Sequence, residues 1–321
     1  MTMREGVTRV RHLEHVLSVE QFSRDTVEHL FLEARQMAAV VERGGDQRLQ
    51  TRILATLFFE PSTRTRLSFE SAMLRLGGQV ISSEMAAVTS SAAKGERIED
   101  TIRIVEYYAD AIVLRHSESG AATRAASVAS VPILNAGDGS REHPTQALLD
   151  LFTIQQELGS IDDLTVAFIG DLRYGRAARS LALLLSLTKN CRVIFATPAG
   201  LEMSRDVSDH LGKLGVPVII DEDVTAAVRN ADVVYVTRIQ KERFPSVEAY
   251  QAVAGAYQFG GDHLAALKER AIVMHPLPRV DEIDPAVDMD ARAAYFRQAR
   301  NGIYLRMALL DAVLGAKPPT A

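Results

Sequence analysis

ILATLFFEPSTRTRLSFESAMLRLGG, residues 53–78, joins two elements through a loop of unusual chemistry. Ile53–Phe59 is a short, almost unbroken apolar run and reads as a buried strand. A helix follows from about Thr63 to Leu76 and stops at Gly77-Gly78. Pro61 closes the strand side, and Ser62 is suited to the N-cap. The first N–H groups of a helix have no intrahelical acceptor and lie at the positive end of its dipole. With the hydroxyls of Thr63 and Thr65 and the guanidinium of Arg64, they make a cradle for a phosphate. A plain capped helix start is the competing reading. A cation in the first turn opposes the dipole, however, and a bound anion removes that conflict.

Outward from this unit, short β-branched runs alternate with helical periods. Upstream, Asp25 to Glu42 carries Val27, Leu30, Ala34, Met37, Ala38 and Val41 at helical spacing. Downstream, strands are expected at Ala111–His116 and Val131–Ala136. A long helix near Pro144–Leu158 precedes a second series of strands at Leu164–Gly170, Arg192–Thr197, Pro217–Ile220, Val233–Arg238 and Ala271–His275. Helices are expected at Arg176–Thr188, Asp206–Leu214 and Val224–Asn230, with a last long one at Ala291–Leu314. Such alternation implies parallel sheets covered by helices on both faces. The fold class expected is α/β, with two doubly wound domains joined by interdomain helices. The domains are expected at 1–144, completed by a C-terminal helix at 300–321, and at 145–299. The length of 321 residues suits two domains of roughly 150 residues each.

Composition is that of an ordinary globular protein, 47% apolar and 24% charged, with a net charge of −5. An acidic chain is a poor general binder of nucleic acid or anionic membranes. Neither partner is expected, and any basic site must be local. The single cysteine, Cys191, excludes an intramolecular disulfide, fits a reducing cytoplasm, and reads as a small buried hydrophobe at a strand start. The first residues lack the apolar core of a secretory signal, and runs such as Leu181–Leu187 are too short to span a bilayer.

Ligands of open parallel sheets lie beyond the carboxyl ends of strands. Each such end here carries polar residues. Arg115-His116 ends one strand, where Arg115 requires a counter-charge that either a neighbouring carboxylate or a ligand can supply. His143-Pro144-Thr145-Gln146 follows a Gly-rich turn. Pro144 suits the first helical position, which puts His143 at the cap and Gln146 one turn on. His143 can polarise a carbonyl oxygen, and Gln146 can hold an NH₂ group through its amide oxygen. A capped helix with a satisfied histidine is the plainer alternative. Lys94, near Ser90 in a stretch of small residues, reads as a solvated lysine or as part of a functional loop.

Gly170-Asp171-Leu172-Arg173-Tyr174-Gly175-Arg176 superficially resembles a dinucleotide loop. Its glycines are five apart, and no acidic residue closes the next strand, so no nucleotide cofactor is expected. Arg176 at the helix start is the residue of interest there. Arg238 can bind a carboxylate bidentately, with Gln240 beside it, whereas Lys241, Glu242 and Arg243 read as a solvated, mutually paired run. In Pro276-Leu277-Pro278 two prolines fix a loop whose carbonyls can accept from an NH₂ group. No metal constellation is evident; His12 and His15 are three apart without a third ligand.

Taken together, these motifs resemble the aspartate/ornithine carbamoyltransferase family from about Leu13 to Leu314. Phe59–Arg66 is similar to its carbamoyl-phosphate signature. Thr237–Arg243 is similar to the aspartate-specific segment. The ornithine branch is expected to show His-Cys-Leu-Pro where this chain has His275-Pro276-Leu277-Pro278, and a Ser-Met-Gly loop that is missing here.

The resemblance implies transfer of the carbamoyl group of carbamoyl phosphate to L-aspartate, an early step of pyrimidine biosynthesis. Residues 1–144 would be the carbamoyl-phosphate domain and 145–299 the aspartate domain. The resemblance further implies that Ser62, Thr63, Arg64, Thr65 and Arg115 hold the phosphate, and that Thr65, Arg115 and His143 polarise the carbonyl. Gln146 and the backbone of Pro276, Leu277 and Pro278 would bind the carbamoyl NH₂ region. Arg176 and Arg238 would clamp the aspartate carboxylates, assisted by Gln240. Ser90 and Lys94 would reach in from a neighbouring chain of a homotrimer, to which regulatory chains can be added in this family. Arg173 stands where lysine is frequent, which keeps the charge.

Charge counting agrees with this assignment. Two substrates with about four negative charges meet Arg64, Arg115, Arg176, Arg238 and Lys94 on an acidic protein. Another amine acceptor such as ornithine, a non-catalytic anion-binding homologue, and a nucleotide-dependent dehydrogenase are the alternatives. No metal and no cofactor is called for.

Overall fold

The computed structural model describes residues 13–84, 95–240, 244, 246–251 and 258–315. The chain divides into two compact units. The first comprises residues 22–136 with the flanking stretches up to 17 and from 303, and the second residues 18–21 and 137–302.

In the first unit, α1 (Arg24–Glu42) precedes β1 (Ile53–Phe58), α2 (Thr63–Arg75), β2 (Gln79–Glu84), α3 (Ile98–Val105), β3 (Ala111–His116), α4 (Ala121–Ala126) and β4 (Ile133–Asp138), whose residues from 137 count with the second unit. The sheet order is β2-β1-β3-β4. β1 pairs in parallel with both neighbours, Phe58 opposite Glu84 on one side and Arg115 on the other. Burial on both faces explains the almost unbroken apolar run of β1, in which Thr56 is the one polar residue.

The stripe that α1 buries is Val27, Leu30, Phe31, Ala34, Met37 and Val40, so Val40 takes the place expected of Val41. β2 was not expected. Its sequence QVISSE is mostly exposed, as befits an edge strand with one neighbour, and it carries no apolar run to announce it.

In the second unit, α5 (Pro144–Leu158) leads to β5 (Thr165–Gly170), α6 (Arg176–Leu184), β6 (Arg192–Ala196), α7 (Arg205–Lys213), β7 (Val218–Ile220), α8 (Val224–Asn230) and β8 (Val233–Thr237). Short helices α9 (Val247–Gln251) and α10 (Gly261–Ala266), β9 (Ile272–Met274) and the long α11 (Tyr295–Leu314) complete the chain. Residues of α11 up to 302 count with the second unit and those from 303 with the first. The order is β7-β6-β5-β8-β9, with every registered pair parallel. Its core packs Ala167, Ile169, Val234 and Val236 against Ala227, Val228, Phe259 and Tyr295.

In each sheet the strand order reverses direction once, between β1 and β3 in the first and between β5 and β8 in the second. Such switch points leave a crevice at the carboxyl ends of the strands, where ligands bind.

Candidate active site

At the first switch point, β1 ends and α2 begins. Ser62 occupies the N-cap, but its side chain makes no capping bond. The first intrahelical bond runs from the N–H of Arg66 to the carbonyl of Ser62, 3.1 Å away. The amides of Thr63, Arg64 and Thr65 therefore precede the helical ladder, and no acidic side chain sits in the first turn. Arg64 is exposed and Thr65 is buried. Arg66 belongs instead to a structural network, with Glu70 at 3.3 Å, Glu84 at 2.9 Å and Ser82 at 3.3 Å. The hydroxyl of Thr56 joins it through Glu70 at 2.9 Å, tying α2 to β1 and β2.

Arg115 stands beside this helix start, because β3 runs next to β1. Its Nη1 donates to the carbonyl of Ala136 at 3.2 Å, and its Nε lies 3.7 Å from Glu60. The counter-charge required of Arg115 thus includes a carboxylate, at a separation too long for a hydrogen bond. His116 packs on the ring of Phe59 and accepts from the N–H of Glu118 at 3.0 Å, a supporting role.

At the second switch point, the segments after β5 and β8 are knit together by Asp171. This fully buried carboxylate accepts from the N–H of Tyr174 at 2.9 Å and of Gln240 at 3.2 Å. Burial raises its pKa; the backbone donors and the charge of Arg238 oppose that rise. The hydroxyl of Thr237 adds bonds to the carbonyls of Ile169 and Asp171, at 3.0 and 3.1 Å. Arg176, in the first turn of α6, donates to the carbonyl of Gly139 at 2.6 Å. Arg238, Ile239 and Gln240 are half-buried.

His143 is the N-cap of α5, with Pro144 at the first helical position. Its N–H donates to the Ser180 hydroxyl on α6 at 3.0 Å. Gln146 is buried, and its Nε2 donates to Asp150 at 2.8 Å. The Pro276–Pro278 segment follows β9. Prolines have no N–H, and the N–H of Leu277 is taken by Nδ1 of His275 at 2.8 Å. These three residues thus offer the surroundings carbonyl acceptors and no backbone donor. Leu277 is held at a φ of +52°, unusual for a residue with a side chain.

His275 is almost fully buried, and its Nε2 meets Glu282 at 2.7 Å. Because Nδ1 accepts, the neutral ring carries its proton on Nε2 and donates it to Glu282. Burial lowers the His275 pKa against the opposing influence of Glu282. Burial works against ionisation of Glu282 too, but the bonds from His275 and the backbone outweigh it and hold that carboxyl low.

The first unit thus brings together Ser62, Thr63, Arg64, Thr65 and Arg115. The second carries His143, Gln146, Arg176, Arg238, Gln240 and Pro276–Pro278. Ser90, Lys94 and the Lys241–Arg243 run lie outside the described residues. Asp150, Asp171, His275 and Glu282 hold candidate residues in place and were assigned no role from sequence. The spacing of Gln146 and Asp150, one helical turn, was the available signal. Cys191 is buried, and burial pushes its thiol up to about 11, as a small core hydrophobe would be. Among the described residues no cluster of three or more His, Cys, Asp or Glu can hold a metal, and no helix is long and apolar enough to cross a membrane.

Comparison with known proteins agrees with this geometry. Residues 14–156 match the aspartate/ornithine carbamoyltransferase carbamoyl-P binding domain, and residues 162–313 match the Asp/Orn binding domain of the same family. A chloroplastic aspartate carbamoyltransferase of Arabidopsis thaliana is 49% identical over 316 residues, covering 97% of this chain and 81% of that one. The aspartate carbamoyltransferase catalytic subunit of Methanopyrus kandleri is 48% identical, covering 94% of this chain and 97% of that one. The crystal structure of aspartate transcarbamoylase from Trypanosoma cruzi with carbamoyl phosphate and aspartate superposes with a TM-score of 0.89 at 42% identity, covering 96% of this chain and 99% of that one. The chain belongs to the aspartate/ornithine carbamoyltransferase family.

Proposed function

We propose that this chain transfers the carbamoyl group of carbamoyl phosphate to the amine of L-aspartate, giving N-carbamoyl-L-aspartate and phosphate. The observation that carries the reading is the pair of polar constellations at the two switch points, on a chain about half identical to aspartate carbamoyltransferases. A helix start with a cation and two threonines suits a phosphate, and Arg176 and Arg238, which follow the adjacent strands β5 and β8, suit a dicarboxylate.

In this mechanism the amides and hydroxyls of Ser62, Thr63 and Thr65 hold the phosphate together with Arg64 and Arg115. Thr65, Arg115 and His143 donate to the carbamoyl oxygen and stabilise the charge that grows there. Gln146 and the carbonyls of Pro276, Leu277 and Pro278 accept from the carbamoyl NH₂. Arg176 and Arg238, with Gln240, orient aspartate so that its uncharged amine faces the carbonyl carbon. The new C–N bond forms, a tetrahedral oxyanion appears, and the C–O bond to phosphate breaks. The leaving phosphate takes the proton from the amine. No cofactor takes part.

Residues 1–144 with 300–321 form the carbamoyl-phosphate domain in this reading, and 145–299 the aspartate domain. The working form is a cytoplasmic homotrimer in which Ser90 and Lys94 of a neighbouring chain complete each site. Exposed Leu67 and Leu74, one above the other on α2, and Ile81 on the edge strand β2 supply apolar surface for such an interface. The product feeds pyrimidine biosynthesis.

The test is turnover of carbamoyl phosphate with aspartate, and separately with ornithine, by wild type and Arg64→Ala. Ureido product with aspartate, lost by about 100-fold or more in the variant, is expected. Equal turnover in the variant, or a preference for ornithine, overturns the reading.

A further inference from the structure

Four buried side chains of the second unit form a hydrogen-bonded series. Asp150 lies one turn after Gln146 on α5 and is fully buried. Its Oδ1 accepts from Nε2 of Gln146 at 2.8 Å and from Nε2 of Gln298 at 2.6 Å, and its Oδ2 accepts from the Tyr235 hydroxyl at 2.7 Å. Gln298, on α11, in turn accepts the N–H of His275 on its Oε1 at 2.9 Å. His275 opens the loop that continues into Pro276–Pro278.

The direction of every bond is dictated chemically. An ionised carboxylate only accepts, and a backbone N–H only donates. Gln298 must therefore turn Oε1 to His275 and Nε2 to Asp150. Gln146 must likewise turn Nε2 inward, which commits its Oε1 to the other side. Burial and the charge of Asp150 push the Tyr235 phenol well above its ordinary range, so it remains a donor. Reversing either amide would set two acceptors or two donors against each other in a water-poor interior, an expensive arrangement.

We propose that Asp150 is a positioning residue for recognition of the carbamoyl NH₂: it locks Gln146 with its oxygen presented as acceptor and, through Gln298, anchors the loop that presents the Pro276–Pro278 carbonyls. The proposal rests on the reading of Gln146 and this loop as NH₂ acceptors. It makes the two acceptor elements, from separate parts of the chain, share one buried anion.

Asp150→Asn keeps the size but replaces one of the two acceptor oxygens with a donor where three donors converge. Gln146 can relieve the clash by flipping, which turns an NH₂ toward the substrate NH₂. The experiment measures binding of carbamoyl phosphate, acetyl phosphate and inorganic phosphate to the purified full-length protein by calorimetry. Acetyl phosphate carries a methyl where carbamoyl phosphate carries NH₂.

Asp150→Asn is expected to weaken carbamoyl phosphate about tenfold while leaving the other two within about twofold. Combined with Gln146→Ala, it should lower the carbamoyl-to-acetyl preference by less than the product of the two single effects, because only the loop route through Gln298 is then left to lose. Equal weakening of all three ligands marks a merely structural role and overturns the proposal, as does an additive double variant. If Gln146→Ala itself leaves the preference unchanged, it is the reading of Gln146 that fails. If Gln146→Ala lowers the preference and Asp150→Asn does not, the positioning role fails. Should Asp150→Asn not fold, Tyr235→Phe removes one donor to the same carboxylate; a smaller fall in the same preference is expected, and an unchanged preference overturns the proposal.

Discussion

Arg64 and Arg66 show how little a residue type says about its task. They are two positions apart in one signature, yet Arg66 is spent on Glu70 and Glu84 while Arg64 is exposed at the helix start. Arg66→Ala should therefore cost about 1 kcal/mol of stability in urea unfolding, since solvent reaches Glu84, which is more than a third exposed. Its carbamoyl-phosphate affinity should stay near wild type, unlike that of Arg64→Ala.

His275 makes a second prediction, on pH. Buried and neutral in the folded state, it titrates below 6.5 there. As pH falls through 6.5, the unfolded chain takes up a proton that the folded chain resists, so the stability due to His275 is complete above 6.5 and is progressively lost below it. An NMR titration of the His275 ring should give a midpoint under 6.5; a midpoint at or above that value refutes the neutral, Glu282-bound ring.

Elements were legible where their ends carry signals. α5 begins at Pro144 and ends before Gly159, and α8 starts after Asp223, whose side chain caps Thr225 and Ala226 at 2.9 and 3.1 Å. Both were read from sequence with the bounds observed, because capping chemistry is local. β2 escaped because an exposed edge strand needs no apolar pattern. β4 begins at Ile133 instead of Val131, since Pro132 has no N–H to give to a ladder.

Two glycines test this level. Gly159 closes α5 at a φ of +82° with open space around it, so Gly159→Ala should cost about 1 kcal/mol through backbone conformation alone. Gly175 has an ordinary φ, but an added Cβ would stand 2.6 Å from the carbonyl oxygen of Asp171. Gly175→Ala must move the start of α6 and Arg176 with it. The expected result is a KM for aspartate raised several-fold with carbamoyl-phosphate affinity largely kept; an unchanged KM would show that the helix start does not set the position of Arg176.

For the molecule as a whole, the proposed trimer makes a distinctive prediction. Chains carrying Arg64→Ala and chains carrying Lys94→Ala, each inactive, should regain activity when dissociated and reassembled together, because some mixed sites then hold both native residues. No recovery would place Lys94 and Arg64 of one chain in the same site. Leu74→Asp, at an exposed position on α2, should shift the protein to a smaller species in sedimentation.

From sequence alone came the alternation of strands and helices, the parallel α/β class, and the candidate residues at strand ends. These follow from periodicity, capping and the rule that ligands gather at carboxyl ends, all of which act over a few neighbouring residues. Strand order was not legible, because pairing is decided between segments far apart in the chain. Only that order puts β3 beside β1 and β8 beside β5, and so sets Arg115 beside the 53–78 unit and the segment that carries Arg238 beside the loop that leads to Arg176. The buried anchors Asp150 and Asp171 also emerged only with tertiary structure, since a carboxylate declares its partners only when the fold has removed it from water.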